Sequence, residues 1–185
     1  PYSLVLNKKA PISLLSVKGA KEVAIELNSM SKSHNMAGWR LGWIAADQAY
    51  INAILKIKSN VDSGMFWALQ EAAVAALGNT DQWHAERNAV YQGRLEAAEA
   101  FLNLFGCTWD RMQEGMFLWG KLPDSVSSAE ALVNDLLVNK HVFITPGFIF
   151  GPKGQRYIRL SLCMPKERIW EAVARIQSGT TKIVE

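Results

Sequence analysis

The segment NSMSKSHNMAGWRLGW, residues 28–43, gathers small hydroxyls (Ser29 and Ser31 among them), a lysine (Lys32), an arginine eight positions later (Arg40) and two tryptophans. It follows neither the 3.6-residue period of an amphipathic helix nor the alternation of a half-buried strand. The run before it, EVAIELNS (22–29), reads as a buried strand, and Gly19 marks the turn that precedes it. Lys32 therefore stands just past the C-terminal end of a strand, the edge where open α/β sheets collect ligands. Taken singly, these residues are a solvated loop lysine, turn-capping serines and an exposed arginine. Taken together they form a polar set with one chemistry in common. Arginine offers a planar fork to an oxygen-rich dianion, the serines add hydroxyls, and an amine close by can condense with an aldehyde. A phosphorylated aldehyde needs all three.

Working outward, GWRLGWIAA (38–46) reads as a second strand, and a helical pattern begins at Asp47 with Tyr50, Ile51, Ile54 and Leu55. After NVDSG (60–64), MFWALQEAAVAAL (65–77) reads as a helix stopped by Gly78. The longest helical pattern covers 79–106, with Thr80 as its cap, Asp81 at its positive end and Gly106 closing it. Beyond it the sequence predicts a strand at 116–122, a helix from Ser127 to Asn139, a strand HVFIT at 141–145, a strand at 157–162 and a helix from Pro165 to Ile176. The fold class that follows is α/β: residues 1–90 carrying few strands plus helices, joined by the long helix to a small α+β domain at 91–185.

The 185 residues, 49% hydrophobic and 20% charged, suit a folded chain with a real core. The net charge of +3 is mild and scattered, which argues against a nucleic-acid footprint. No apolar run reaches membrane-span length and no signal peptide is visible. Cys107 and Cys163 lie far apart and read as buried free thiols, and most of the seven tryptophans read as core. His34, His84 and His141 have no metal-ligand spacing, so no metal is assigned. The expectation is a cytoplasmic protein. The chain opens at Pro1, without methionine, and reads as part of a longer polypeptide.

The segment SMSKSHNMAGWRLG resembles the pyridoxal-phosphate lysine motif of fold type I aminotransferases, classes I and II, the aspartate aminotransferase superfamily. That pattern is a small residue, the lysine, then asparagine, glycine and arginine, matched here by Ser29, Lys32, Asn35, Gly38 and Arg40. The resemblance implies that Lys32 carries pyridoxal 5'-phosphate as an internal aldimine and moves a proton for it. It implies further that Ser29, Ser31 and Arg40 hold the phosphate, and that Tyr2 donates to the cofactor's ring oxygen. YIRLSLC (157–163) resembles the family's C-terminal strand, which makes Arg159 the clamp on the substrate α-carboxylate. His34 stands where the family often has an aromatic residue and is expected to pack. The family's chain is about twice as long, so this one resembles the C-terminal half of such an enzyme, the end of the cofactor domain plus the small domain. Alone it is expected not to transaminate.

The leading expectation is thus amino-group transfer between an amino acid and a 2-oxo acid, by a homodimer when full length. A lyase on the same fold and the effector half of an aminotransferase-like regulator remain open beside it, since fold does not dictate reaction. A non-catalytic module is disfavoured by the retained polar cluster of Lys32, Arg40 and Arg159.

Overall fold

The computed structural model describes residues 3–178, in two compact units that divide inside the long helix at Ala85/Glu86. Tyr2 lies outside the described residues, so its expected role has no structural counterpart here.

In the first unit a short helix α1 (Ala20–Val23) leads into β1 (Ile25–Ser29), a one-turn helix α2 (Met30–Ser33), a 3-10 turn at 37–39 and β2 (Gly42–Ala46). Helices α3 (Gln48–Val61) and α4 (Trp67–Leu77) follow, then α5 (Asp81–Leu104), which continues into the second unit. β1 and β2 form an antiparallel pair running from Ile25↔Ala46 to Ser29↔Gly42. Gly42 is required by this pairing: a Cβ there would lie 2.5 Å from the Asn28 carbonyl oxygen. Asp47 caps α3 by accepting from the Ala49 N–H at 2.9 Å, and Thr80 accepts from the Trp83 N–H at the start of α5. Two predicted strands prove shorter. Residues 20–23 coil into α1, and Arg40 turns left-handed (φ 54°) after the 3-10 turn, so β2 can begin only at Gly42.

The second unit adds β3 (Phe117–Lys121), α6 (Ala129–Lys140), β4 (Thr145–Pro146), β5 (Tyr157–Ser161) and α7 (Lys166–Gln177). The sheet order is β3-β5-β4, antiparallel throughout. Strand alternation gives the sheet two different faces. Leu118, Ile158 and Leu160 point into a core shared with Phe101 and Leu102 of α5, Leu136 of α6 and Val173 of α7. Phe117, Trp119, Tyr157 and Arg159 lie half-buried on the opposite face.

The predicted strand at 141–145 is mostly absent. His141 adopts a left-handed conformation to end α6, and the N–H groups of His141 and Val142 both bond the Leu136 carbonyl. Backbone donors spent on capping a helix cannot join a ladder, which leaves only Thr145–Pro146 paired with β5. The tryptophan expectation also fails: four are exposed (Trp39, Trp43, Trp67, Trp170) and three half-buried. Trp43 and its neighbour Ile44 face opposite sides of β2, and both are exposed, because the two-stranded sheet has neither face fully covered within this unit.

Cys107 is buried as expected, whereas Cys163 is exposed. Burial pushes the Cys107 thiol up to about 11. A thiol reagent on the native chain should label Cys163 alone, with Cys107 reacting only on unfolding. Because the folded pKa exceeds the unfolded 9.0, folding stability should fall as pH rises through 9 toward 11. Equal labelling of both thiols in the native state would contradict this placement.

Candidate active site

The lysine turn is built from its backbone outward. At the end of β1, Ser29 caps α2 by accepting from the Ser31 N–H at 3.1 Å. The Ser33 hydroxyl donates to the Ser29 carbonyl at 3.2 Å and lies 2.8 Å from His34 Nδ1. The Met30 N–H bonds the Leu41 carbonyl at 3.2 Å, which ties the lysine turn to the residue after Arg40. The Met36 N–H returns to the Met30 carbonyl at 3.3 Å.

Side chains anchor the same loop from behind. Met30, Met36 and Leu41 are buried together and pack against Leu69, Ala72, Ala73 and Ala76 of α4. The alanines let the helix approach closely, and unbranched methionine fills the irregular gap. His34 is buried with its ring stacked on Trp83 (centroids 6.2 Å apart, planes 19° apart) and edge-on to His84, the packing role expected of it. With Met30 and Met36 turned inward, Ser31 and Lys32 are half-buried and Arg40 is exposed.

Ser29, Ser31 and Lys32 are thus consecutive parts of one capped turn, and Arg40 is joined to it through the Met30–Leu41 bond. Ser29 Oγ also donates to the Leu41 carbonyl at 3.5 Å, the outer limit of a hydrogen bond. Arg40 Nη1 donates to the Ala37 carbonyl at 2.9 Å, which engages one of the guanidinium's five donors. Asn35 and Arg40 are both left-handed (φ 55° and 54°). Asparagine tolerates that region, while arginine there costs about 1–2 kcal/mol. Backbone strain of this kind gathers at ligand sites, where the surrounding structure over-determines it.

Arg159, in the second unit, is the centre of a separate arrangement. Its guanidinium carbon lies 4.4 Å from the ring centroids of both Phe117 and Phe150. Its Nε is buried without a hydrogen-bond acceptor, and no ion pair engages it among the described residues. A donor left dry costs about 1–3 kcal/mol. Arg159 and the paired Thr145 also line a cavity of about 440 Å³ whose walls include Phe143, Leu160 and Met164. The rings around Arg159 escaped the sequence reading. The signal was faint: Phe117 shares a strand face with Trp119, but Phe150 comes from a 3-10 turn (147–150) nine residues upstream.

The model of the family "aminotransferase class I and II" matches residues 3–176 of this chain. LL-diaminopimelate aminotransferase of Nitratidesulfovibrio vulgaris is 39% identical over 166 residues, 90% of this chain and 43% of its own length. Among solved structures, substrate-bound BacF from Bacillus subtilis superposes with a TM-score of 0.87 at 31% identity, covering all of this chain and 47% of BacF. A probable N-succinyldiaminopimelate aminotransferase from Thermus thermophilus gives 0.82 at 32% identity, covering 96% of this chain and 48% of its own. The chain therefore spans less than half the length of the curated relatives it matches. Over that span, it belongs to the class I and II aminotransferase family.

Proposed function

We propose that this chain is the C-terminal half of a pyridoxal-phosphate-dependent aminotransferase that moves an amino group between an amino acid and a 2-oxo acid. Residues 1–90 would be the end of its cofactor domain and 91–185 its small domain. The observation that carries the reading is the Lys32 turn, where an amine, two hydroxyls and a strained arginine share one short loop pegged to a buried methionine pair. That donor set fits a phosphorylated aldehyde at both ends: hydroxyl and guanidinium donors for a dianion, a primary amine for the carbonyl.

Pyridoxal phosphate, when bound, supplies the carbonyl and the electron sink that loosens the substrate's Cα–H bond. The rest is work for protein groups. Lys32 would hold the cofactor through its amine and, once that amine is free, would take the Cα proton of the substrate. Ser29 donates only weakly to Leu41, so its hydroxyl proton turns readily toward a phosphate oxygen. Ser31 adds a second hydroxyl, and Arg40 offers its remaining N–H groups and its charge. Arg159 takes the α-carboxylate in a bidentate grip, a geometry lysine cannot supply. Every amino donor and 2-oxo acceptor carries that carboxylate, so Arg159 serves both halves of a ping-pong cycle and does not select the side chain. The curated relatives at 37–39% identity bear the name LL-diaminopimelate aminotransferase, which makes that diamino acid the first donor to assay. The remaining cofactor contacts, Tyr2 apart, belong in this reading to the half of the enzyme that the chain does not span. The complete enzyme is read as a cytoplasmic homodimer with no nucleic-acid or membrane partner.

In the complete enzyme, Lys32→Ala should lower kcat by at least about 10²- to 10⁴-fold, the range for losing an acid–base group. Activity within tenfold of the parent would rule Lys32 out. Arg40→Gly separates strain from binding. Glycine relieves the left-handed backbone, so the melting temperature should hold or rise, while pyridoxal phosphate measured by equilibrium dialysis should bind at least about tenfold more weakly, as expected for a lost charge-assisted hydrogen bond. Unchanged cofactor affinity would remove Arg40 from the phosphate site.

A further inference from the structure

We infer that Phe117 and Phe150 are positioning residues for Arg159: two aromatic rings that hold its guanidinium flat, with its edge turned toward the substrate carboxylate. The inference rests on the reading of Arg159 as the carboxylate clamp and goes beyond it in naming what makes that clamp rigid. All of a guanidinium's N–H groups lie in its plane, so rings set over its central carbon engage its charge without taking up those donors. Both rings stand 4.4 Å from the guanidinium carbon, within cation–π range.

The rings are themselves held. Phe117 belongs to β3, directly paired with the strand that carries Arg159. Phe150 closes the 147–150 turn, and its ring meets Trp119 edge-on at 5.5 Å. Trp119 in turn stacks on Tyr157 at 5.6 Å with planes 19° apart. Tyr157–Trp119–Phe150 is thus a buttress running along the sheet face to Arg159. The 147–150 turn is clamped at its start, because Gly147 and Gly154 approach so closely that a Cβ on either would strike the other's backbone.

Among the described residues no carboxylate holds Arg159, so the orienting work falls to the rings. This choice has a chemical consequence. A protein carboxylate would orient the guanidinium but compete with the substrate for its N–H groups. Aromatic faces orient it without occupying a single donor, and by excluding water from the faces they strengthen the charge presented at the edge.

The test uses Phe150→Leu, which keeps bulk but loses the ring, and Phe150→Tyr, which keeps the ring. In the complete holoenzyme Phe150→Leu should raise KM for the amino donor about fivefold, as for loss of one partly desolvated cation–π contact, with kcat changed less than about twofold. Phe150→Tyr should restore the parent KM. As a readout independent of turnover, the Arg159 Nε–H signal in a ¹⁵N-labelled sample of this chain should be shifted by the ring currents and move in Phe150→Leu. Equal KM values for the leucine and tyrosine variants, or an Nε–H signal indifferent to Phe150→Leu, would overturn the inference. Arg159→Lys separates the two levels: if it leaves KM unchanged, the clamp reading itself fails, whereas a raised KM with a silent Phe150→Leu removes only the rings' role.

Discussion

The hydrogen bond from the Met30 N–H to the Leu41 carbonyl closes the loop on which the first unit's polar site depends. It joins the turn that carries Lys32 to the backbone beside Arg40 and converts the twelve residues from Met30 to Leu41 into one fastened ring. Hydrogen bonding alone would not hold it, since a single net bond contributes only about 0.5–1.5 kcal/mol. The buried side chains of Met30, Met36 and Leu41 against α4 supply the larger share, at roughly 1.5–3 kcal/mol for each fully buried apolar side chain. The turn can therefore carry a left-handed arginine and several polar groups at once. In physical terms, apolar anchoring on one side of the loop sustains strain and polarity on the other.

The second unit solves the same problem with a sheet instead of a loop. Alternation along β3 and β5 sends Leu118, Ile158 and Leu160 into the helix-covered core and leaves Arg159 with its aromatic neighbours on the other face. A charged side chain sits on a strand without damaging the core only because the strand period keeps the two faces apart. The rigidity of the buried face is passed directly to Arg159, one residue away from fully buried Ile158.

How much of this was legible in the sequence varied with the kind of signal. The long helix declared itself through Thr80, Asp81 and Gly106, local cues that act within a single turn. The residue types of the Lys32 segment were legible for the same reason. The anchoring was not, because Met30 opens α2 while Met36 only precedes the 3-10 turn at 37–39, so no single helix or strand period runs through both. The strand at 141–145 was overestimated because an apolar β-branched run looks identical whether its N–H groups join a ladder or cap a helix, and here His141 and Val142 cap α6. The tryptophans were misplaced because side-chain size alone does not reveal which faces the rest of a unit covers. Phe150 escaped because contact between a turn and a strand leaves no periodic trace.

The claim at the centre of this account is that the Lys32 turn is an addressed site for a phosphorylated aldehyde. The direct measurement is to incubate the 185-residue chain with pyridoxal phosphate, reduce it with borohydride and map the modified peptides by mass spectrometry. A single adduct on Lys32 is the predicted result. Label concentrated on another lysine, or spread evenly over the exposed ones, would contradict it.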